Sequence, residues 1–155
     1  MNPADHHLLL VDDDVISLNI MARLLEKAGF KCSLAGSAIL AEQLLLDHPV
    51  GFFSGVLLDN QMPHKSGLEL LKEIKQGVNA DLPVIMQTGN NEPAEVQQCI
   101  NAGAFYYLTK PLHHQLLLSV VEAAINDLEN HREVRSELDH LDQSLGLLRS
   151  ACFQL

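Results

Sequence analysis

The chain has 155 residues, 47% of them hydrophobic but only 5% aromatic and with no Trp, so its core is built mainly from aliphatic side chains, and that length suits one domain with an appended element. Its 20 acidic and 10 basic residues leave a net charge of −10, which argues against direct binding of nucleic acid or of an anionic membrane surface. The cysteines (Cys32, Cys99, Cys152) form no CxxC pair and MNPADHH carries no basic residue to open a signal peptide; no apolar run approaches the ~20 residues of a membrane span, so the chain reads as cytoplasmic, with buried, reduced thiols.

In chain order, HLLLV (7–11) predicts a strand. Ile16, Ile20, Leu24 and Ala28 then step by four, with Met21 and Leu25 widening the stripe, which predicts an amphipathic helix ended by Gly29. FKCSLA (30–35) predicts a second strand, and Ser37 suits the cap of a helix over 38–47. GVLLD (55–59) is a continuous apolar run, as expected of a strand covered on both faces. Ser66 and Glu69 have capping-box spacing before a helix that holds Leu68, Leu71 and Ile74 and stops at Gly77. PVIMQ (83–87) predicts a fourth strand, Pro93 the first turn of a helix ending near Gly103, and AFYYLT (104–109) a fifth strand. A last helix after Pro111 buries Leu117, Val120, Val121, Ala124, Ile125 and Leu128. Strict alternation of strand and helix implies an α/β fold with a parallel sheet between two helical layers.

From residue 131 the pattern changes. Val134, Leu138, Leu141, Leu145, Leu148, Cys152 and Leu155 recur at spacings of 4, 3, 4, 3, 4 and 3, a heptad seam of the coiled-coil kind. Gly146 inside it costs about 1 kcal/mol relative to Ala. Residues 1–128 therefore read as one globular domain and 129–155 as a helical extension. An apolar stripe of this kind calls for a partner helix, a second copy or further chain. In a parallel homodimer Glu137 opposes Asp142, which is repulsive, so the pairing reads as antiparallel, weak, or replaced by packing elsewhere.

The polar residues that follow the strands carry the chemistry, because ligands of such sheets bind beyond the carboxyl ends of the strands. The first strand runs into Asp12, Asp13 and Asp14, the third ends in Asp59, the fourth in Thr88 and the fifth in Lys110. Asp14 is read as the cap of the first helix. Two carboxylates ~5 Å apart at an effective dielectric of ~20 repel by roughly 3 kcal/mol, so a cluster of them at a buried strand end needs a purpose. Clustered carboxylates suit a hard cation such as Mg²⁺, a Lys supplies a point charge for a phosphoryl group, and a hydroxyl donates to one of its oxygens. A carboxylate beside the metal can act as the nucleophile.

VDDD (11–14), LLDNQMP (57–63), QTG (87–89) and YYLTKP (106–111) together closely resemble the receiver domain of bacterial two-component response regulators, over roughly residues 6–128. The resemblance implies a flavodoxin-like five-stranded parallel sheet in the order 2-1-3-4-5 with five helices, and a regulatory domain that catalyses only its own phosphorylation and dephosphorylation. It implies Asp59 as the phosphoacceptor. Mg²⁺ (or Mn²⁺) would be held by Asp12, Asp13, Asp59 and the backbone carbonyl of Gln61. Thr88 and Tyr107 become the switch pair, Lys110 the phosphoryl partner, and the Lys110–Pro111 bond cis. Implied partners are a sensor histidine kinase or a phosphotransfer protein. Phe105 and Tyr106 stand where the family often carries two acidic residues, and Gly89 leaves the phosphoryl site open.

Two other readings compete. A phosphatase of the haloacid dehalogenase type would use Asp12 as nucleophile and Asp14 as acid/base, but it needs a second acidic pair on a strand after Lys110. A purely structural dimerisation module through residues 131–155 leaves the acidic cluster without a role. The eight His residues, including the pairs at 6–7 and 113–114, lack metal-ligand spacing and are expected at the surface. His131 in NHREVR lacks the surrounding motifs of a phosphodonor histidine.

Overall fold

The computed structural model describes residues 1–90 and 92–152. After a 3₁₀ turn at Pro3–Asp5 the chain runs β1 (His7–Val11), α1 (Val15–Lys27), β2 (Lys31–Ala35), α2 (Ala38–Asp47), β3 (Gly55–Asp59), α3 (Gly67–Gln76), β4 (Val84–Thr88), α4 (Pro93–Asn101), β5 (Tyr106–Thr109) and α5 (His114–Cys152). The strands form one parallel sheet ordered β2-β1-β3-β4-β5, as the resemblance implied.

Alternation along each strand divides the core in two. Leu8, Leu10, Leu57 and Ile85 pack with Leu18, Met21 and Leu25 of α1 and with Leu117, Val121 and Ile125 of α5. Leu9, Val11, Leu58 and Met86 pack with Ala38 and Ala41 of α2, Leu70, Leu71 and Ile74 of α3, and Cys99 of α4. Fully burying one such aliphatic side chain contributes roughly 1.5–3 kcal/mol. The two layers thus hold the strand ends in fixed register, and the residues just beyond them share one edge.

The capping chemistry matches the expectation. Ser37 accepts from Leu40 N, Ser66 from Glu69 N, and Asp14 from Ile16 N. Gly29, just past α1, has φ +101°, a conformation that favours glycine.

The buried face of α1 differs from the expected one. Leu18, Met21, Ala22 and Leu25 are inside, while Ile16 and Ile20 are 71% and 53% exposed. Each step of four residues turns 400°, so a row spaced only by four drifts off the face, whereas the mixed 3–4 spacing of Leu18, Met21, Ala22 and Leu25 stays on it. Two other expectations need correction. Cys99 is buried, but Cys32 is half-buried and Cys152 exposed, all as free thiols. His6 is buried rather than at the surface: its Nδ1 lies 2.9 Å from Ser54 Oγ and its Nε2 2.9 Å from Glu129 Oε1.

α5 is a single helix of 39 residues. It buries Leu117, Val120, Val121, Ala124, Ile125 and Leu128, as expected, and then leaves the body at the end of the sheet remote from the strand carboxyl termini. From Asn130 to Cys152 every residue is exposed, including Val134, Leu138, Leu141, Leu145 and Leu148 of the heptad seam. Leu155, the last seam position, lies outside the described residues.

Candidate functional site

The three consecutive aspartates do different work. Asp12 is fully buried, Asp13 exposed, and Asp14 caps α1, accepting from Ile16 N at 3.1 Å and from the Ser17 hydroxyl at 2.8 Å. Those two bonds hold the Asp14 carboxyl below its ordinary value. Asp12 Oδ1 accepts from Asp14 N at 2.9 Å, which sets its rotamer.

Across the sheet edge, Asp59 ends β3 and Lys110 follows β5. Lys110 Nζ sits 2.7 Å from Asp12 Oδ2 and 3.7 Å from Asp59 Oδ2. Asp12, Asp13 and Asp59 each present a carboxylate oxygen within 4.8 Å of the others. Burial and then the charge of Asp12 push the Asp59 carboxyl up to about 6, against the opposing pull of Lys110. Burial works against the Lys110 ammonium too, but its hydrogen bond to Asp12 and the charge of Asp59 outweigh that and hold its pKa above the ordinary value. One ammonium thus faces two of the three clustered carboxylates, Asp12 and Asp59. The remaining negative charge, carried on hard oxygen donors, fits a divalent cation of the Mg²⁺ class.

Thr88, the last residue of β4, is fully buried, and its Oγ1 accepts from Asn90 N at 3.2 Å. The half-buried Tyr107 donates its hydroxyl proton to Asn90 O at 3.1 Å. The expected switch pair is therefore joined through the Asn90 backbone. Gln61 reaches the cluster through its amide, which donates to Asp59 Oδ1 at 3.4 Å. Among the described residues, a Cβ on Gly89 would have no heavy atom within 4 Å.

Sequence reasoning missed the residues that fasten the loop after β3. Asn60 N donates to Gln87 O at 2.9 Å, Asn60 Oδ1 accepts from Leu68 N at 2.9 Å, and Asn60 Nδ2 donates to Glu95 Oε1. Gly67 opens α3 so close to β3 that a Cβ there would stand 2.2 Å from Asp59 O. Lys65, in the same loop, pairs with both Glu42 and Glu73.

Gln87 was also missed, although a polar residue interrupting the apolar VIMQT run was the visible sign. It is fully buried beside Asp59 in register, hence on the same face of the sheet, with Nε2 3.0 Å from Met21 Sδ and Oε1 without a partner among the described residues.

Among the described residues the haloacid dehalogenase alternative finds no strand after Lys110 to carry a second acidic pair. Everything from His114 to Cys152 is one helix, and Asp139 and Asp142 lie on its exposed extension.

A family model described as the response regulator receiver domain matches residues 8–122. A rice protein, two-component response regulator ORR22 (Oryza sativa subsp. indica), is 33% identical over 88% of this chain, which spans only 19% of that relative's length. The shorter rice regulator ORR3 is 31% identical over 68% of this chain and 80% of its own. The crystal structure of a CheY-like response regulator receiver domain protein from Methanospirillum hungatei superposes with a TM-score of 0.76 at 27% identity, covering 81% of this chain and 98% of that one.

Proposed function

This chain belongs to the response regulator receiver family, and on that premise we propose that it is the phosphoacceptor domain of a two-component regulator, with Asp59 receiving the phosphoryl group. The observation that carries this reading is the single ammonium, Lys110, set between the buried Asp12 and Asp59 in a pocket of three carboxylates. Asp12, Asp13, Asp59 and the Gln61 carbonyl would hold Mg²⁺ (or Mn²⁺). When bound there, the cation supplies the positive charge that lets a phosphoryl group approach this acidic corner.

The donor is a phosphohistidine on a sensor kinase or phosphotransfer protein. An Asp59 carboxylate oxygen attacks phosphorus. The new P–O bond forms as the P–N bond breaks, and the imidazole leaves with the electron pair. Lys110 moves from Asp12 to a phosphoryl oxygen, a change of partner the present 2.7 and 3.7 Å separations make short. The Thr88 hydroxyl, now an acceptor for Asn90 N, rotates to donate to the phosphoryl group. Tyr107, released from Asn90 O, turns inward.

The face built from α4, β5 and α5 then changes population, and α5 carries that change without a break into the extension. The receiver domain runs through residue 128, with 129–155 as an extension that serves as a linker or a dimerisation element. It acts in the cytoplasm, where its kinase partners present phosphohistidine. Among the described residues no helix is long and apolar enough to cross a membrane.

Incubation with acetyl phosphate and Mg²⁺, followed by intact mass and peptide mapping, tests the assignment. We expect one phosphoryl adduct, on Asp59, dependent on the cation and abolished in Asp59→Asn. An adduct on Asp12 would overturn the reading in favour of the phosphatase alternative, and no adduct at all would overturn both.

A further inference from the structure

Gln87 stands in the row of residues that carries the chemistry. Register sets it beside Asp59 of β3 on one side and beside Leu108 of β5 on the other. Val11 pairs with Leu58, so Asp12 comes next in line with Asp59. Asp12, Asp59, Gln87 and Leu108 thus cross the sheet in one row. They share the face of Leu10, Leu57 and Ile85, which α1 and α5 cover.

Lys110 starts on the far side of Gln87 from the carboxylates. It follows Leu108 by two residues, at the β5 end of the row, yet its ammonium lies 2.7 Å from Asp12 and 3.7 Å from Asp59. In the strand order β1-β3-β4-β5 its side chain must therefore pass over the end of β4, where Gln87 lies.

Both groups have hydrogen-bonding capacity to spare. Gln87 is fully buried, its Nε2 rests against Met21 Sδ, and its Oε1 has no partner among the described residues. A buried acceptor without a donor is costly. Its neighbours in the row offer no donor, since ionised Asp59 only accepts and Leu108 is apolar. The Lys110 ammonium carries three N–H donors and gives one to Asp12.

We propose that Gln87 is a positioning residue for Lys110: when the ammonium gives up Asp12, Gln87 Oε1 accepts one of its N–H bonds and holds it over Asp59. A neutral acceptor suits this task. A further carboxylate would compete with phosphoryl oxygens for the ammonium, whereas an amide oxygen orients it without adding charge to an acidic corner, and leaves two N–H donors to face the reaction. The use of this contact in phosphoryl transfer rests on the phosphoacceptor reading; the contact itself does not.

The Lys110 ammonium can be followed by ¹⁵N NMR on the full chain, in chelator and in Mg²⁺, because a hydrogen-bonded ammonium exchanges its protons slowly. Gln87→Met keeps the length of the side chain and removes the amide, and Gln87→Leu repeats the measurement with another apolar shape. In Mg²⁺ the wild-type signal is expected to persist, while in both variants proton exchange should be about tenfold faster. Gln87→Glu, which keeps an oxygen at that position, should retain the slow exchange. In chelator, Gln87→Met should be no less stable than the wild type, because it removes a buried acceptor that has no donor. Its Asp59 adduct should nevertheless form about tenfold more slowly with acetyl phosphate. Undiminished stability with slower chemistry is a combination that a packing role does not produce.

A Lys110 signal in Mg²⁺ that is indifferent to Gln87→Met and Gln87→Leu overturns the contact. Loss of stability in chelator for both variants assigns Gln87 to packing and overturns the proposal. Faster ammonium exchange with an unchanged adduct rate overturns the positioning role. A wild-type chain that takes no adduct, with its Lys110 signal still dependent on Gln87, overturns the phosphoacceptor reading and leaves the contact standing.

Discussion

At the residue scale, the site is a study in how one side-chain type acquires several roles from its surroundings. Asp12, Asp13 and Asp14 are chemically identical and adjacent, yet one is buried against an ammonium, one faces solvent, and one closes a helix. Asp59 is the member whose titration the fold alters most clearly. Its carboxyl is raised to about 6 from a model-peptide value near 4, by burial and by Asp12. A group raised in this way favours the protonated folded state. The unfolded chain releases its proton first as pH rises, so stability declines between about pH 4 and pH 6 and stays reduced above. In chelator at pH 7, Asp59→Asn should therefore be more stable than the wild type, by on the order of 1–2 kcal/mol. The gain should vanish as pH falls towards 4. Denaturant melts across that range check it; a variant less stable at pH 7 would contradict the electrostatic account.

At the element scale, the junction of β3 and α3 does the positioning. α3 begins where its first residue almost touches the Asp59 carbonyl, and only a residue without Cβ fits at Gly67. Asn60 then ties strand, helix and α4 together through bonds to Gln87 O, Leu68 N and Glu95. Gly67→Ala should cost about 3 kcal/mol, because the clash is with backbone rather than with a side chain that can swing away. It should also slow or abolish adduct formation at Asp59 even where the protein remains folded. Thermal melts and the acetyl phosphate assay separate the two effects. The same scale explains the misread face of α1: the sequence offers two overlapping apolar rows, and burial selects the one whose spacing follows the helix turn.

At the scale of the whole molecule, one helix serves two masters. The first turns of α5 complete the core, and the rest projects from it, tied at the exit by His6–Glu129 and Arg135–Asp81. The Arg135–Asp81 pair is exposed on both sides, and such pairs contribute little, about 0–1 kcal/mol. A chain ending at residue 136 should therefore melt within about 2 °C of the full chain at low concentration, where self-association contributes nothing. Calorimetry on both forms checks this, and a large loss of stability would show that the extension packs back on the receiver.

The strands, the caps at Asp14, Ser37 and Ser66, and the convergence of Asp12, Asp13, Asp59, Thr88 and Lys110 were all legible in the sequence. They follow from local rules: hydrophobic period, capping side chains, and the placement of ligands beyond parallel strand ends. What only the tertiary structure decided were relations between distant segments. The sequence could not say that Asn60 would bridge to Glu95, that Gln87 would be buried against Met21, or that the Asp81 loop would stand beside Val134. Each depends on how far one element rotates or slides against another. That is set by the packing of the whole core, and no local pattern carries it.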